Sequence, residues 1–162
     1  MHKYKTELKW AIYFSIMTLL WMMLERIVGL HDELISKHAL YTNLVAIPAI
    51  TLYVFALLDK RKTDFGGEMT YMQGFLSGSV LSFIIMIFSP IVQILTTYIV
   101  TPHYFDNAIA YAVSTGSMSR ESAESYFSLK SYMIQAVGGA PVMGILTSAI
   151  VALFVKKNPK TV

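Results

Sequence analysis

The sequence has no cysteine and few charged residues. Without cysteine, its 162 residues can form neither disulfides nor thiolate metal sites. Only 14% of the residues are charged and 55% are apolar, a balance too hydrophobic for an ordinary soluble domain. The sequence also lacks a Gly-rich phosphate loop, a nucleophile elbow and an evident catalytic triad. The composition therefore indicates a membrane protein and supports no familiar enzyme class.

Four long apolar runs predict membrane-spanning helices. They cover about residues 10–30, 41–58, 71–97 and 132–155. An α-helix rises about 1.5 Å per residue and the hydrocarbon core of a bilayer is about 30 Å thick, so each run is long enough to cross it. The prediction is an all-α polytopic membrane protein, in which residues 1–162 form a single transmembrane domain built as a bundle of four helices.

The basic residues predict how the spans are oriented. Nine of the thirteen lysines and arginines lie on one side of the predicted spans: Lys3, Lys5, Lys9, Lys60, Arg61, Lys62, Lys156, Lys157 and Lys160. Arg26, Lys37, Arg120 and Lys130 lie on the other side. Because cytoplasmic loops carry an excess of lysine and arginine, we expect both termini in the cytoplasm. The net charge of +3 then forms a basic cytoplasmic rim for anionic lipid headgroups, and not a nucleic-acid surface.

The segment between the third and fourth spans, residues 101–131, is predicted to form two amphipathic helices outside the membrane. Thr101 is a candidate N-cap for the first helix, which has Ala108 and Ala112 on its apolar face. A Ser-Thr-Gly-Ser break follows, and Ser119 is a candidate N-cap for the second helix. Half-apolar helices of this kind lie along the membrane surface or cover the mouth of a bundle.

Small residues recur at every fourth position in the third and fourth runs. They are Gly74 and Gly78 in the third run, and Ala140, Gly144 and Ser148 in the fourth. Lipid provides no hydrophobic drive for helix association, so spans pack mainly where small residues let their backbones approach closely. These five residues are therefore candidate helix-packing positions. The same pattern also suits a homo-oligomer.

Strongly polar residues inside the spans are candidates for a functional pocket. With the predicted orientation, Glu25, Arg26, Asn43, Gln93 and Gln135 all lie in the outer part of the bilayer. Such groups cost free energy unless they are satisfied, so together they predict an outward-facing pocket. Glu25 shares a helix stripe with small and polar residues, and we expect it to face the bundle. The structural alternative is that Arg26 extends towards the headgroups while Glu25 only contacts neighbouring helices.

Three histidines are weak candidates for metal ligands. His31 and His38 lie seven residues apart in HDELISKH, next to two acidic residues, and His103 lies in the outer segment. Zinc needs three or four converging ligands, and no compact motif such as His-Glu-x-x-His is present. The sequence therefore predicts no metal and no other cofactor, and interfacial histidines are the simpler interpretation.

Four stretches of the chain carry a family resemblance. They are MLERIVGLHDELISKHALYTNL, ALLDKRKTDFGGEMTYMQGFLSG, SPIVQ and AESYFSLKSYMIQ. They make the chain, from roughly residue 4 to residue 157, similar to the domain of unknown function 4199 family of small bacterial integral membrane proteins. The resemblance implies a bacterial inner membrane and supplies no catalytic residue or cofactor. It also implies a link to sugar transfer in the cell envelope, with an envelope glycosyltransferase as one expected partner.

These observations favour a non-enzymatic scaffold or accessory subunit in a cell-envelope process. Its expected partners are the lipid bilayer and another membrane protein, and nucleic acid is not expected. One alternative is a small transporter or channel, although no ionisable residue lies in the inner half of the predicted spans. Another is an enzyme or binding protein for a lipid-linked substrate, which would use the outward-facing pocket around Glu25 and Arg26.

Overall fold

Seven α-helices make up most of the computed structural model, which describes residues 4–158. They are α1 (Lys5–Ile27), α2 (Ile35–Tyr41), α3 (Ala46–Thr63), α4 (Tyr71–Leu95), α5 (Tyr104–Ser114), α6 (Arg120–Tyr126) and α7 (Leu129–Val155). A 3₁₀ turn (Thr42–Val45) joins α2 to α3, and a π-helical turn (Thr96–Val100) extends α4. No strand is present among the described residues, so the predicted all-α fold class is confirmed. Lys3 and Lys160, used to predict the orientation, lie outside the described range.

Within the described residues, four helical segments are long and apolar enough to cross a membrane. They are Lys5–Ile27, Ile35–Thr63, Tyr71–Val100 and Leu129–Val155. Large apolar side chains cover their outer surfaces, and Phe154, for example, is 83% exposed. Helices satisfy their own backbone hydrogen bonds, so such surfaces are suited to lipid. The chain is thus a multi-pass membrane protein whose helices contact the bilayer.

The ends of the helices differ from the boundaries predicted from hydrophobicity. α1 ends at Ile27, because Gly29 has a φ of 81° and the backbone leaves the helix there. The second segment begins earlier than predicted, because α2 and the 3₁₀ turn lead directly into α3. α3 also continues to Thr63, which places Asp59 and Lys60 on its last turns.

The first helix of the outer segment begins later than predicted. α5 starts at Tyr104, and the prediction that Thr101 is its N-cap is wrong. The Thr101 hydroxyl instead donates to the carbonyl of Thr96 at 3.2 Å, where it satisfies an acceptor at the end of the helix formed by α4 and the π-helical turn. Ala108 and Ala112 are buried, in agreement with the predicted apolar face.

The second helix of the outer segment has the predicted N-cap. α5 ends in a turn at Gly116, which has a φ of 69°, and α6 begins at Arg120. The Ser119 hydroxyl accepts a hydrogen bond from the backbone N–H of Ser122, which confirms Ser119 as the cap.

α4 and α7 pack against each other through two antiparallel rows of small residues. Gly74 lies against Ala152, and Gly78 lies against Ser148. One turn further along α4, Ser82 lies against Gly144. A Cβ atom added to Gly78 or Gly144 would overlap the facing serine side chain, so glycine is required for this close approach. We call this contact the glycine–serine interface.

The buried serine hydroxyls in the glycine–serine interface donate hydrogen bonds to backbone carbonyls of their own helices. Ser82 donates to the carbonyl of Gly78 at 2.8 Å, and Ser148 donates to that of Gly144 at 2.6 Å. The Tyr53 hydroxyl of α3 lies 2.9 Å from Ser82 Oγ and joins a third helix to the contact. Four predicted packing residues thus lie in this interface, and the fifth, Ala140, is partly buried nearby against the core.

Buried charges join α1 and α3 at one end of the bundle. This end, which we call the basic end, contains the N-terminus of α1 and the C-terminus of α7. Lys60 Nζ lies 2.8 Å from Glu7 Oε1, and the two residues are only 6% and 4% exposed. Lys60 also pairs with Asp64. Burial opposes ionisation of Asp64, but the hydrogen bond and charge of Lys60, together with hydrogen bonds from Thr63 and Thr6, outweigh it and lower the pKa of Asp64. Lys9 and Asp59 form a second pair between these helices at 2.5 Å.

Candidate functional site

A cavity of about 550 Å³ lies between the halves of α4 and α7 that are farthest from the basic end. Its lining on α4 and the π-helical turn falls within residues 85–97, and its lining on α7 falls within residues 132–143. On α4 this range begins beyond Ser82, and on α7 it ends at Met143, directly before Gly144 of the glycine–serine interface. Side chains of α1, α2 and α5 complete the wall. We call this space the bundle cavity and this end of the bundle the cavity end.

The wall of the bundle cavity is mainly apolar and carries a number of uncharged polar groups. The polar side chains include Ser15, Thr18, Ser89, Gln93, Thr97 and Gln135. Among the described residues, no aspartate, glutamate, lysine or arginine lines it. Pockets with mostly apolar walls and a few polar groups are typical of small-molecule binding sites.

Glu25 lies next to the bundle cavity, one turn of α1 beyond Met22, which lines it. The Glu25 side chain is fully buried. Its Oε1 accepts a hydrogen bond from Trp21 Nε1 at 2.5 Å, and its Oε2 lies 3.1 Å from His31 Nε2 and 3.3 Å from His38 Nε2. We call Glu25, His31 and His38 the Glu-His-His cluster.

Local backbone structure brings the two histidines to Glu25. After α1, the chain turns at Gly29, and the N–H of Leu30 donates to the carbonyl of Glu25 at 2.9 Å. This turn folds His31 back against the last turn of α1. α2 then begins at Ile35 and presents His38 to the same carboxylate. His38 also lines the bundle cavity, so the cluster and the cavity share a wall.

α5 covers the Glu-His-His cluster. The Tyr104 hydroxyl lies 3.4 Å from His38 Nδ1 and 3.2 Å from the Tyr132 hydroxyl, and its ring contacts both histidine rings. Asn107 Nδ2 donates to the carbonyl of His31 at 2.9 Å. Burial raises the pKa of Tyr104, so its hydroxyl keeps its proton and can hydrogen bond to both neighbours.

Each histidine of the cluster has one buried ring nitrogen without a hydrogen-bond partner in residues 4–158. These atoms are His31 Nδ1 and His38 Nε2. His38 Nε2 is close to Glu25 Oε2 but is not aligned for a hydrogen bond. Most buried polar atoms in proteins are hydrogen bonded, so the unpartnered His38 Nε2 beside Glu25 requires a physical reason. Ligand atoms of the three residues lie within 4.8 Å of one another, close enough to hold a metal ion.

Comparison with known proteins gives the family of this chain. One family profile, described as Protein of unknown function (DUF4199), matches residues 9–157. The chain belongs to the DUF4199 family. No curated protein and no solved structure matches it. The bundle cavity and the Glu-His-His cluster both lie within the part of the chain that matches the DUF4199 profile.

The five residues that the sequence proposed as a pocket do not meet in one place in this DUF4199 protein. Gln93 and Gln135 line the bundle cavity, and Glu25 lies beside it in the cluster. Arg26 is exposed and donates at 2.6 Å to the last carbonyl of the π-helical turn. Asn43 is also exposed and donates to a carbonyl of α2 at 2.8 Å. The five residues were grouped by their predicted depth, but they lie on different faces of the structure.

The candidate metal ligands also separate into two groups. His31 and His38 lie in the cluster, whereas His103 is exposed just before α5 and is not part of it. The sequence alone did not indicate that Tyr104 and Asn107 lie beside the two histidines. One available signal was Trp21, which lies too deep in its span for an interfacial aromatic residue and in fact hydrogen bonds to Glu25.

Proposed function

We propose that this protein is an accessory membrane protein of a bacterial cell-envelope process that binds the apolar part of an amphiphilic, lipid-like ligand. The observation that carries this proposal is the bundle cavity of about 550 Å³ between α4 and α7. Its size is within the range of about 300–1,000 Å³ that is common for small-molecule sites. Lipid-linked substrates of envelope assembly belong to this chemical class.

The distribution of polar groups supports an amphiphilic ligand. Phe14, Ile85 and Met143 provide an apolar surface for a chain or ring system. Gln93 and Gln135 provide amide groups that can hydrogen bond to an uncharged polar headgroup. Within residues 4–158, the hydrogen bonds of their amide nitrogens are to hydroxyls one turn away in their own helical segments, at 3.2 and 3.1 Å. A ligand can therefore reach these amides without breaking a contact between helices.

We further propose that the cavity end faces away from the cytoplasm in the bacterial inner membrane. The described residues at the basic end include Lys5, Lys9, Arg61, Lys62 and Lys156, and the positive-inside bias favours this end on the cytoplasmic side. Both termini are then cytoplasmic. α5 and α6 lie on the outer surface, where a partner of the envelope machinery can contact them.

Helix contacts between the bundle cavity and the basic end favour ligand binding over transport. The glycine–serine interface closes the space between α4 and α7, and the buried pair of Glu7 and Lys60 joins α1 to α3. A transported solute would have to separate these contacts to continue beyond the bundle cavity. The arrangement therefore supports a pocket that is entered and left from one end.

Filling the bundle cavity is expected to abolish ligand retention. Ala136 lines the cavity, whereas its neighbour Val137 does not line it and is 38% exposed. We expect Ala136→Phe to reduce the bound lipid mass at least about tenfold, because a phenyl ring occupies the space that the ligand needs. Val137→Phe adds a comparable ring at the lipid-facing surface and should retain the ligand.

Native mass spectrometry after incubation with a bacterial lipid extract measures this effect. Thermal unfolding of both variants provides a control for folding. The proposal would be refuted by a wild-type protein that carries no lipid-like mass, or by equal retention in Ala136→Phe and Val137→Phe.

A further inference from the structure

We propose that Glu25, His31 and His38 bind one divalent transition-metal ion with the ligand preferences of zinc. The site would be formed by the end of α1, the turn that follows it and α2. This inference goes beyond the proposed binding of an amphiphile, and it does not require that the bundle cavity contains a ligand.

The donor set is one that zinc uses. Two imidazole nitrogens and one carboxylate oxygen form the protein ligands of many sites in which a fourth position is left to water or another exchangeable ligand. The three side chains converge although they are separated by up to thirteen positions in sequence. Glu25 lies on the last turn of α1, His31 in the turn that follows and His38 on α2, so an ion would meet a largely preformed site.

The two distances from Glu25 to the histidines fit neighbouring ligands of a tetrahedral ion. Zinc bonds to nitrogen and oxygen of about 2.0–2.1 Å place neighbouring ligand atoms about 3.3 Å apart. Glu25 Oε2 lies 3.1 Å from His31 Nε2 and 3.3 Å from His38 Nε2. For His38 this close distance occurs without hydrogen-bond alignment. Two ligands of one metal ion also lie close together without a hydrogen bond between them, because their lone pairs point at the ion and not at each other.

Charge balance also favours a bound cation. Glu25 is fully buried, and an isolated buried carboxylate is strongly unfavourable unless a positive charge compensates it. Its ion-pair contacts within the described part of the chain are with His31 and His38 alone. Arg26 is adjacent in sequence but donates to a backbone carbonyl elsewhere. A divalent ion would supply the missing charge without requiring a buried histidine to be protonated.

The surrounding residues would orient the ligands. With an ion on Nε2 of His38, the remaining Nδ1–H can donate to the Tyr104 hydroxyl, which lies 3.4 Å away. Tyr104 can then donate its own proton to Tyr132 at 3.2 Å. Trp21 fixes the other oxygen of Glu25 by donating to it at 2.5 Å. Hydrogen bonds of this kind set the tautomer and the direction of metal ligands.

The wild-type protein provides the first test. Protein in mild detergent, purified without a polyhistidine tag and treated with a chelator, is titrated with Co²⁺ and then with Zn²⁺. We expect one Co²⁺ per chain with the visible absorption of a tetrahedral ion, and we expect one equivalent of Zn²⁺ to displace it. Absence of that spectrum at excess Co²⁺ would overturn the proposal, and a cluster joined only by hydrogen bonds would give this result.

Variants assign the ion to the three residues. We expect His31→Gln and His38→Gln to weaken Zn²⁺ binding by about 100-fold or more, because removing a direct ligand exceeds the usual effect of altering its hydrogen-bond partner. His103→Gln changes an exposed histidine outside the cluster and should leave the affinity unchanged. Equal affinity in all three variants would overturn the assignment. If the cluster variants fail to fold, the wild-type Co²⁺ spectrum still decides the proposal, and its failure would leave lipid retention in the Ala136→Phe comparison unaffected.

Discussion

Gly144→Ala is expected to destabilise the bundle, whereas Gly138→Ala, in the same helix, is expected to leave its stability unchanged or slightly increased. An added Cβ on Gly144 would overlap the side chain of Ser82 and crowd the Tyr53 hydroxyl. α4 and α7 must then move apart, and overpacking of this kind costs about 1–3 kcal/mol. An added Cβ on Gly138 has no neighbour within 4 Å, and alanine favours the helix more than glycine does.

Thermal unfolding in detergent, followed by the fluorescence of the two tryptophans, measures this difference. A loss of about 1–3 kcal/mol corresponds to a decrease in melting temperature of about 3–10 °C for a chain of this size. Gly78→Ala offers an independent replicate, because its added Cβ would overlap Ser148 from the other side of the interface. Equal melting temperatures for Gly144→Ala and Gly138→Ala would show that the glycine–serine interface does not limit the approach of the helices.

Lys60→Met should cause the largest loss of stability at the basic end. Lys60 is 6% exposed and forms an ion pair with Glu7, which is 4% exposed. Methionine preserves much of the side-chain volume but leaves the carboxylate of Glu7 buried without this partner. Removing one member of a buried ion pair typically costs about 3–5 kcal/mol.

A second substitution separates the loss of charge pairing from the loss of packing. In the double variant Lys60→Met/Glu7→Gln, the buried uncompensated charge of Glu7 is absent, so much of the lost stability should return. Arg120→Met breaks an exposed pair with Glu124 and should have little effect, because surface ion pairs contribute little to stability. A double variant as unstable as Lys60→Met would mean that the aliphatic packing of Lys60, and not its charge, holds α1 and α3 together.

Much of the fold was predictable because it depends on patterns that are local in sequence. Hydrophobic length predicts the four apolar helices. The four-residue spacing of Gly74 and Gly78, and that of Gly144 and Ser148, corresponds to positions that lie together between α4 and α7. The N-cap at Ser119 also depends on a few consecutive residues. The failed cap at Thr101 shows the limit, because its hydroxyl is used by the preceding π-helical turn and not by α5.

The candidate site was predictable only in part, because it depends on how the chain after α1 folds back against the end of that helix. The helix stripe correctly predicted that Glu25 faces the bundle. The partners of Glu25 come from a turn at Gly29 and from α2, which hydrophobicity does not distinguish from a loop. Arg26 and Asn43 were grouped with Glu25 by predicted depth but are exposed, because depth alone cannot determine which face of a helix a residue occupies. Tyr104 reaches the site through α5, more than sixty residues later in the chain.

The proposal that the bundle cavity opens away from the cytoplasm can be tested by the reactivity of a single cysteine introduced at Gln93. The chain has no native cysteine, so each introduced thiol is unique. Gln93→Cys lies in the cavity wall, Ser117→Cys lies in the exposed turn between α5 and α6, and Lys62→Cys lies at the basic end. A small, membrane-impermeant thiol reagent is applied to spheroplasts and to inverted membrane vesicles.

We expect Gln93→Cys and Ser117→Cys to react in spheroplasts, and Lys62→Cys to react only in inverted vesicles. Reaction of Gln93→Cys only in inverted vesicles, or failure to react while Ser117→Cys does, would contradict a cavity that opens to the outside.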